Sequence, residues 1–234
     1  MNRTIKTYVL RAGRMSAAQK RSYDTLFPRF GIPFPDVPAP LDFLTVFGSD
    51  KPVTAEIGFG MGRAAAEIAA ANPDKNYLSL EVHRPGIGRL LWEIEQRGLQ
   101  NIRIIEHDAV EVLEKLVPDC SLSAVHIFFP DPWPKKRHHK RRLITRPFTD
   151  LLARKLAAGG YLYMVTDWVD YAEWALRELA ATPGLRNTCG GFAPPQSWRP
   201  KTEFERKGLA KNHEVRELYF EENHGSEKNS APPF

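Results

Sequence analysis

Between Pro52 and Gly184 the chain alternates, five times over, between a short apolar run and a segment of helical spacing. PVTAEI, NYLSLEV, NIRIIE, AVHIFF and YLYMVTD read as buried strands, because each is brief, apolar and bounded by turn residues. Helical segments follow them: MGRAAAEIAAANP, the stretch through LLWEIEQRG that stops at Gly98, DAVEVLEKLVP, TRPFTDLLARKLAAGG with a terminal glycine pair, and YAEWALRELAATPG. This rhythm demands parallel βαβ units, hence an α/β fold with a doubly wound, mostly parallel sheet. Ligands in such sheets bind beyond the carboxyl ends of the strands. A further strand is expected at VRELYFE.

The 234 residues, 42% of them hydrophobic, suffice for one domain with extensions. Residues 1–40 read as a basic, partly helical arm and a proline-rich connector, 41–222 as the main domain and 223–234 as a disordered tail. Cys120 and Cys189 are the only cysteines and have no metal-ligand spacing, so neither a zinc site nor a disulfide framework is expected. The N-terminus has no apolar signal core, and no run approaches the ~20 residues of a membrane span. A cytoplasmic protein with no membrane partner is expected. The net charge of +5 suits a polyanionic partner.

EIGFGMGR follows the first strand and opens the first helix. Gly58, Gly60 and Gly62 allow a tight turn and close approach to a ligand. Arg63 stands where a dinucleotide fingerprint wants glycine, and Glu56 would repel a pyrophosphate. An acid followed by such a loop suits a cofactor that lacks phosphate and carries a cationic amino acid moiety, as S-adenosylmethionine does. Glu81 ends the second strand, where a carboxylate accepts from a ribose diol; it also reads as a surface acid. Asp108 follows the third strand and could accept from an adenine amino group, or cap the next helix. The three strand ends together carry more weight than any one of them.

The fourth strand runs into PDPWP and then KKRHHKRR. Pro130, Pro132 and Pro134 stiffen a loop that holds Asp131 and Trp133 at the sheet edge. Asp131 beside a methyl transfer would stabilise cationic character and hold a base through its N–H groups. Trp133 either stacks on a base or seals the core. The basic run supplies a field for phosphates; its bland alternative is a solvated face.

The motifs GRMSAAQKR, EIGFGMGR, LEVHRPGIGRLL, HDAVEVL, FFPDPWPKKRHHKRRLI, TDW and TEFERKG resemble those of the bacterial tRNA (guanine-N7)-methyltransferases, over nearly the whole chain to about Phe220. The resemblance implies a Rossmann-like class I S-adenosylmethionine-dependent fold with a seven-stranded sheet. It implies methylation of a variable-loop guanine in tRNA, without an obligatory protein subunit, by a monomer or homodimer. It assigns Glu56, Gly58, Gly60, Glu81, Asp108 and Asp131 to the cofactor, and Asp131 to catalysis. It assigns Lys135, Asp167, Thr202, Glu203, Phe204 and Glu205 to the substrate, and Arg137, His138, His139, Lys140, Arg141 and Arg142 to RNA. On composition alone, Asp167 also reads as a helix cap and residues 202–205 as a surface turn. No metal is implied. A small-molecule methyltransferase would not need KKRHHKRR, an RNA-binding protein without activity would not need the three strand-end acids, and a nicotinamide oxidoreductase is disfavoured by Glu56 and Arg63.

Overall fold

The computed structural model describes residues 5–9, 13–202, 205 and 214–223. Strands β1 (Val53–Ile57), β2 (Asn76–Glu81), β3 (Ile102–Glu106), β4 (Leu122–Phe128), β5 (Leu156–Thr166), β6 (Leu185–Asn187) and β7 (Arg216–Glu222) form one sheet in the order β3-β2-β1-β4-β5-β7-β6. The five strands from β3 to β5 are parallel, whereas β7 runs antiparallel to both β5 and β6. The strand order reverses between β1 and β4, and this switch point leaves a crevice at the carboxyl edge.

Helices cover both faces, as parallel strands require. Alternate residues feed opposite cores: Leu78 and Leu80 pack with Val125, Ile127 and Phe148, whereas Tyr77 packs with Ala66, Ile87 and Leu90. The first core is closed by α5 (Ala109–Lys115), α6 (Arg146–Lys155) and α7 (Val169–Ala180), the second by α3 (Arg63–Ala71) and α4 (Arg84–Arg97). Gly98 ends α4 in the left-handed region at φ +63°, as its position after the helical pattern implied.

The arm contributes α1 (Ala17–Phe30), started by a capping box in which Ser16 Oγ accepts from the Gln19 N–H (3.2 Å) and Gln19 Oε1 accepts from the Ser16 N–H (2.7 Å). It packs closely on α4: a Cβ added at Gly88 would come within 2.6 Å of the Gln19 carbonyl oxygen. The connector follows the sheet edge, where the Ile32 N–H donates to the Ile104 carbonyl (2.8 Å). The one-turn helix α2 (Phe43–Phe47) and the three-residue β6 were not anticipated, since neither is long enough to show a period.

One boundary differs from expectation. The helix expected to run to the glycine pair stops at Lys155, and LAAGG belongs to β5. Gly159, at φ +73°, sits in an irregularity where the pairing with β4 jumps from Leu122↔Leu156 to Ala124↔Tyr161. A Cβ at Gly160 would lie 2.8 Å from the Ala157 carbonyl oxygen and 2.9 Å from that of Leu122. The pair is a strand bulge, not a helix stop. Among the described residues, no helix is long and apolar enough to cross a membrane. Of the expected tail 223–234, Asn223 still donates its N–H to the Gly184 carbonyl (2.9 Å), and residues 224–234 lie outside the described residues.

Candidate active site

A cavity of about 570 Å³ opens at the carboxyl ends of β1, β2 and β4. Glu56, Gly58, Gly60, Glu81, Asp108 and Asp131 all line it, so the residues expected around the cofactor converge on one space. Gly58 and Gly60 have φ of +72° and +59°, and a Cβ built on either meets no protein atom within 4 Å. Their backbone therefore requires glycine on conformational grounds and leaves room for a ligand to approach closely. The floor of the loop is different: a Cβ at Gly86 would lie 1.9 Å from the Gly60 carbonyl oxygen, so α4 supports the loop at contact distance.

Glu81 organises this loop. Its Oε2 accepts from the Gly60 N–H (3.0 Å), and its Oε1 accepts from the N–H groups of Val82 (2.7 Å) and His83 (3.1 Å). Burial nevertheless pushes its carboxyl up, against the pull of those three donors. Glu56 is 3% exposed, and burial, with Glu81 adding repulsion, pushes its carboxyl up to about 8. Asp108 caps α5, its Oδ1 accepting from the Val110 N–H (2.9 Å), and it lines the cavity as well. Among the described residues none of these three acids has a cationic side chain within ion-pair distance. A cavity with three such acids and an open glycine loop fits S-adenosylmethionine, whose amino group and sulfonium are cationic and whose ribose and adenine offer N–H and O–H donors.

Asp131 is exposed at the rim, on a loop bracketed by two residues in the left-handed region, Phe129 (φ +50°) and Trp133 (φ +46°). The Phe129 N–H donates to the Val165 carbonyl (2.8 Å), which ties the loop to β5. Trp133 is half-buried and not part of either core. Its Nε1–H donates to the Thr7 carbonyl (3.0 Å), and the Arg141 guanidinium lies 3.8 Å from its ring centroid. The arm thereby reaches the cavity, where Thr7, Tyr8 and Val9 form part of the lining. Nothing in the spacing of the arm residues signalled this.

The basic run does not behave as one surface. Lys136–Arg141 form a single 3-10 helix, on which Lys136, Arg137 and Lys140 are exposed, as is Lys135 just before it. His138 packs edge-on against Trp133 (5.9 Å) and His139 against Trp174 (6.0 Å). Arg141 donates to the carbonyls of Lys6 (3.1 Å) and Tyr8 (3.3 Å). Arg142 corrects the expectation outright: it is 0% exposed, donates to the Pro132 carbonyl (3.0 Å) and pairs with Asp170. A guanidinium so enclosed has no face for a phosphate.

The expected substrate residues divide too. Lys135 and Asp167 do not line the cavity. Asp167 is not the cap of α7 either; Trp168 holds that position, its N–H donating to Thr166 Oγ1 (3.3 Å). Thr202 lines the cavity, and its Oγ1 accepts from the Glu205 N–H (3.0 Å). Glu205 is a correction. It is buried, with both carboxylate oxygens on Arg199 (2.5 and 3.0 Å), so it buttresses the turn rather than facing a ligand. Arg199 also reaches Glu217 (2.8 Å), and Glu217 accepts from the Tyr163 hydroxyl. Glu203 and Phe204 lie outside the described residues. Arg199 and Glu217 were missed because partners eighteen residues apart leave no local pattern.

A family profile described as "Putative methyltransferase" matches residues 50–218. The tRNA (guanine-N(7)-)-methyltransferase of Aromatoleum aromaticum is 52% identical over 219 residues, covering 94% of this chain and 84% of that protein. That of Nitrosospira multiformis is 49% identical over 225 residues, covering 96% and 97%. Among solved structures, the 16S rRNA methyltransferase KamB superposes with a TM-score of 0.58 at 15% identity, covering 77% of this chain and 92% of its own. TrmN from Thermus thermophilus gives 0.52 at 17% identity, over 77% of this chain and 47% of its own. These distant structures share the Rossmann-like fold. With half of its residues shared over almost its whole length, the chain belongs to the tRNA (guanine-N(7)-)-methyltransferase family.

Proposed function

We propose that the protein transfers a methyl group from S-adenosylmethionine to N7 of a variable-loop guanine in tRNA. One observation carries this reading: an acid-lined cavity opens beside Asp131, and the exposed cations of Lys135 to Lys140 follow it directly. When bound, S-adenosylmethionine supplies a methyl group made electrophilic by its sulfonium. Glu56, Glu81 and Asp108, with the open faces of Gly58 and Gly60, hold it. Guanine N7 has a free lone pair at neutral pH, so no residue must remove a proton before attack. Asp131 accordingly acts without taking a proton: it accepts from the base N–H groups and favours the cation that develops on the ring. Most of the acceleration comes from positioning.

Arg137 and Lys140 bind phosphate, and Thr202 contributes from the cavity lining. The N7 edge lies in the deep, narrow major groove of an RNA duplex, so the target is a nucleotide in a loop. A tRNA substrate fits a cytoplasmic enzyme, and we read it as a monomer or homodimer without an obligatory partner subunit.

The test is equilibrium binding of S-adenosylmethionine followed by incubation with total tRNA, and separately with ribosomal RNA, and nucleoside analysis. 7-Methylguanosine in tRNA alone is the expected result; cofactor binding with no product in tRNA refutes the substrate.

A further inference from the structure

Arg142 closes a run of six Lys/Arg and two His, yet it is 0% exposed. An interior guanidinium loses its hydration and persists where fixed partners replace the water. Here Nη1 has no hydrogen-bond partner, and the partners of Nε and Nη2 join two elements. Nε donates to the Pro132 carbonyl (3.0 Å), and Nη2 donates to Asp170 in the first turn of α7. The guanidinium also lies 5.1 Å from the Tyr171 ring centroid and 5.2 Å from that of Trp174, both on α7. The same helix grips the chain just beyond: the Tyr171 hydroxyl accepts from the Ile144 N–H (3.2 Å), and Trp174 Nε1–H donates to the Ile144 carbonyl (2.7 Å).

The Pro132 carbonyl belongs to the peptide that leads from the Asp131 loop into Trp133, whose φ of +46° is uncommon for a bulky side chain. Such a peptide needs an outside restraint to keep its orientation. We infer that Arg142 is a positioning residue, which holds the Asp131 loop through Pro132, and that Asp170 sets the guanidinium from the far side. Neither residue lines the cavity, and the Asp170 side chain is 61% exposed, so both act at a distance from the reacting atoms. The kinetic part of this inference rests on the methyl transfer proposed above, where a displacement of about 1 Å costs roughly 10²-fold in rate.

The test compares Asp170→Ala, Asp170→Glu and Arg142→Lys in the full chain. Lysine keeps the charge but not the planar fork that reaches Pro132 and Asp170 together. For Asp170→Ala and Arg142→Lys we expect kcat for tRNA to fall by roughly 10- to 100-fold, with KM and cofactor affinity unchanged, and Asp170→Glu to recover most of the loss. Hydrogen exchange, which needs no substrate, should show the Asp131, Trp133 and Lys135 amides exchanging about 10-fold faster while β1 to β4 are unaltered. Asp170→Ala changes a surface side chain and decides the matter if Arg142→Lys does not fold. Unchanged exchange in the loop overturns the inference; so does a kcat loss matched by an equal loss of cofactor affinity, which marks general loosening. A wild-type protein inactive on tRNA refutes the proposed substrate, and the exchange result then decides the role of Arg142 alone.

Discussion

The two flanks of the sheet treat charge in opposite ways. On the β1–β3 flank, Glu56, Glu81 and Asp108 face a cavity; Glu81 and Asp108 accept from backbone N–H groups, and among the described residues no Lys or Arg pairs with any of the three. On the β5–β7 flank, Glu205 and Glu217 share Arg199 in an interior where all three are buried. Acids that the fold itself neutralises hold the structure together. Acids set into a cavity without a Lys or Arg partner leave the fold to bear the cost of their desolvation, which a cationic ligand would offset.

Arg199→Ala should produce the largest effect. It strands two buried carboxylates, and removing one partner of a buried pair costs about 3–5 kcal/mol. Urea unfolding measures it; a loss below about 1 kcal/mol would mean that Glu205 is available to a ligand after all. Next comes Asp131→Ala, which should fold and bind tRNA yet lose ~10²-fold or more in turnover, as removal of a transition-state interaction does. Near-normal turnover in single-turnover assays would remove Asp131 from the mechanism. Glu81→Ala follows, with ~1–3 kcal/mol lost in cofactor affinity by calorimetry and tRNA affinity kept. Because Glu81 also holds the Gly60 N–H, an unchanged affinity would count against both of its uses.

Glu56 sharpens the comparison through pH. Its carboxyl is raised from 4.5 to about 8, so near pH 7 the free protein holds it largely protonated. A cationic ligand favours the carboxylate, and cofactor binding should release up to one proton at pH 7, fading as the pH passes about 8. Calorimetry in buffers of different ionisation heat reads this directly. The stability sign is fixed by the same shift: a raised folded pKa stabilises fully below 4.5, and that contribution is lost as pH rises through about 8. Glu56→Gln should remove this slope and the released proton together. The smallest effect belongs to the rim. Arg137→Ala and Lys140→Ala should each lower the slope of log tRNA affinity against log salt by roughly 0.7–0.9. Arg142, being enclosed, should not contribute a phosphate to that slope; if it did, the division of the basic run would fail.

Much of the architecture was legible in the chain. Strands and helices announce themselves by period, which is a property of a few consecutive residues and the backbone they ride on. The strand-end acids and the glycine loop were legible for the same reason, since a parallel sheet brings the carboxyl ends of β1, β2 and β3 to one edge whatever packs around them. The misread glycine pair marks the limit: LAAGG fits a helix end and a bulge equally, and only pairing with β4 chooses between them.

What the tertiary structure alone decided is which charges meet water. KKRHHKRR is uniform as text, yet its cations end in three environments: exposed, stacked on Trp133 beneath the arm, and buried against α7. Arg142 meets Asp170 twenty-eight residues later and Arg141 meets Lys6 one hundred and thirty-five residues earlier. Hydration of a side chain depends on what packs across it, and those neighbours come from distant parts of the chain. A motif can therefore declare its chemistry in sequence while its division into anchors and contacts waits for the fold.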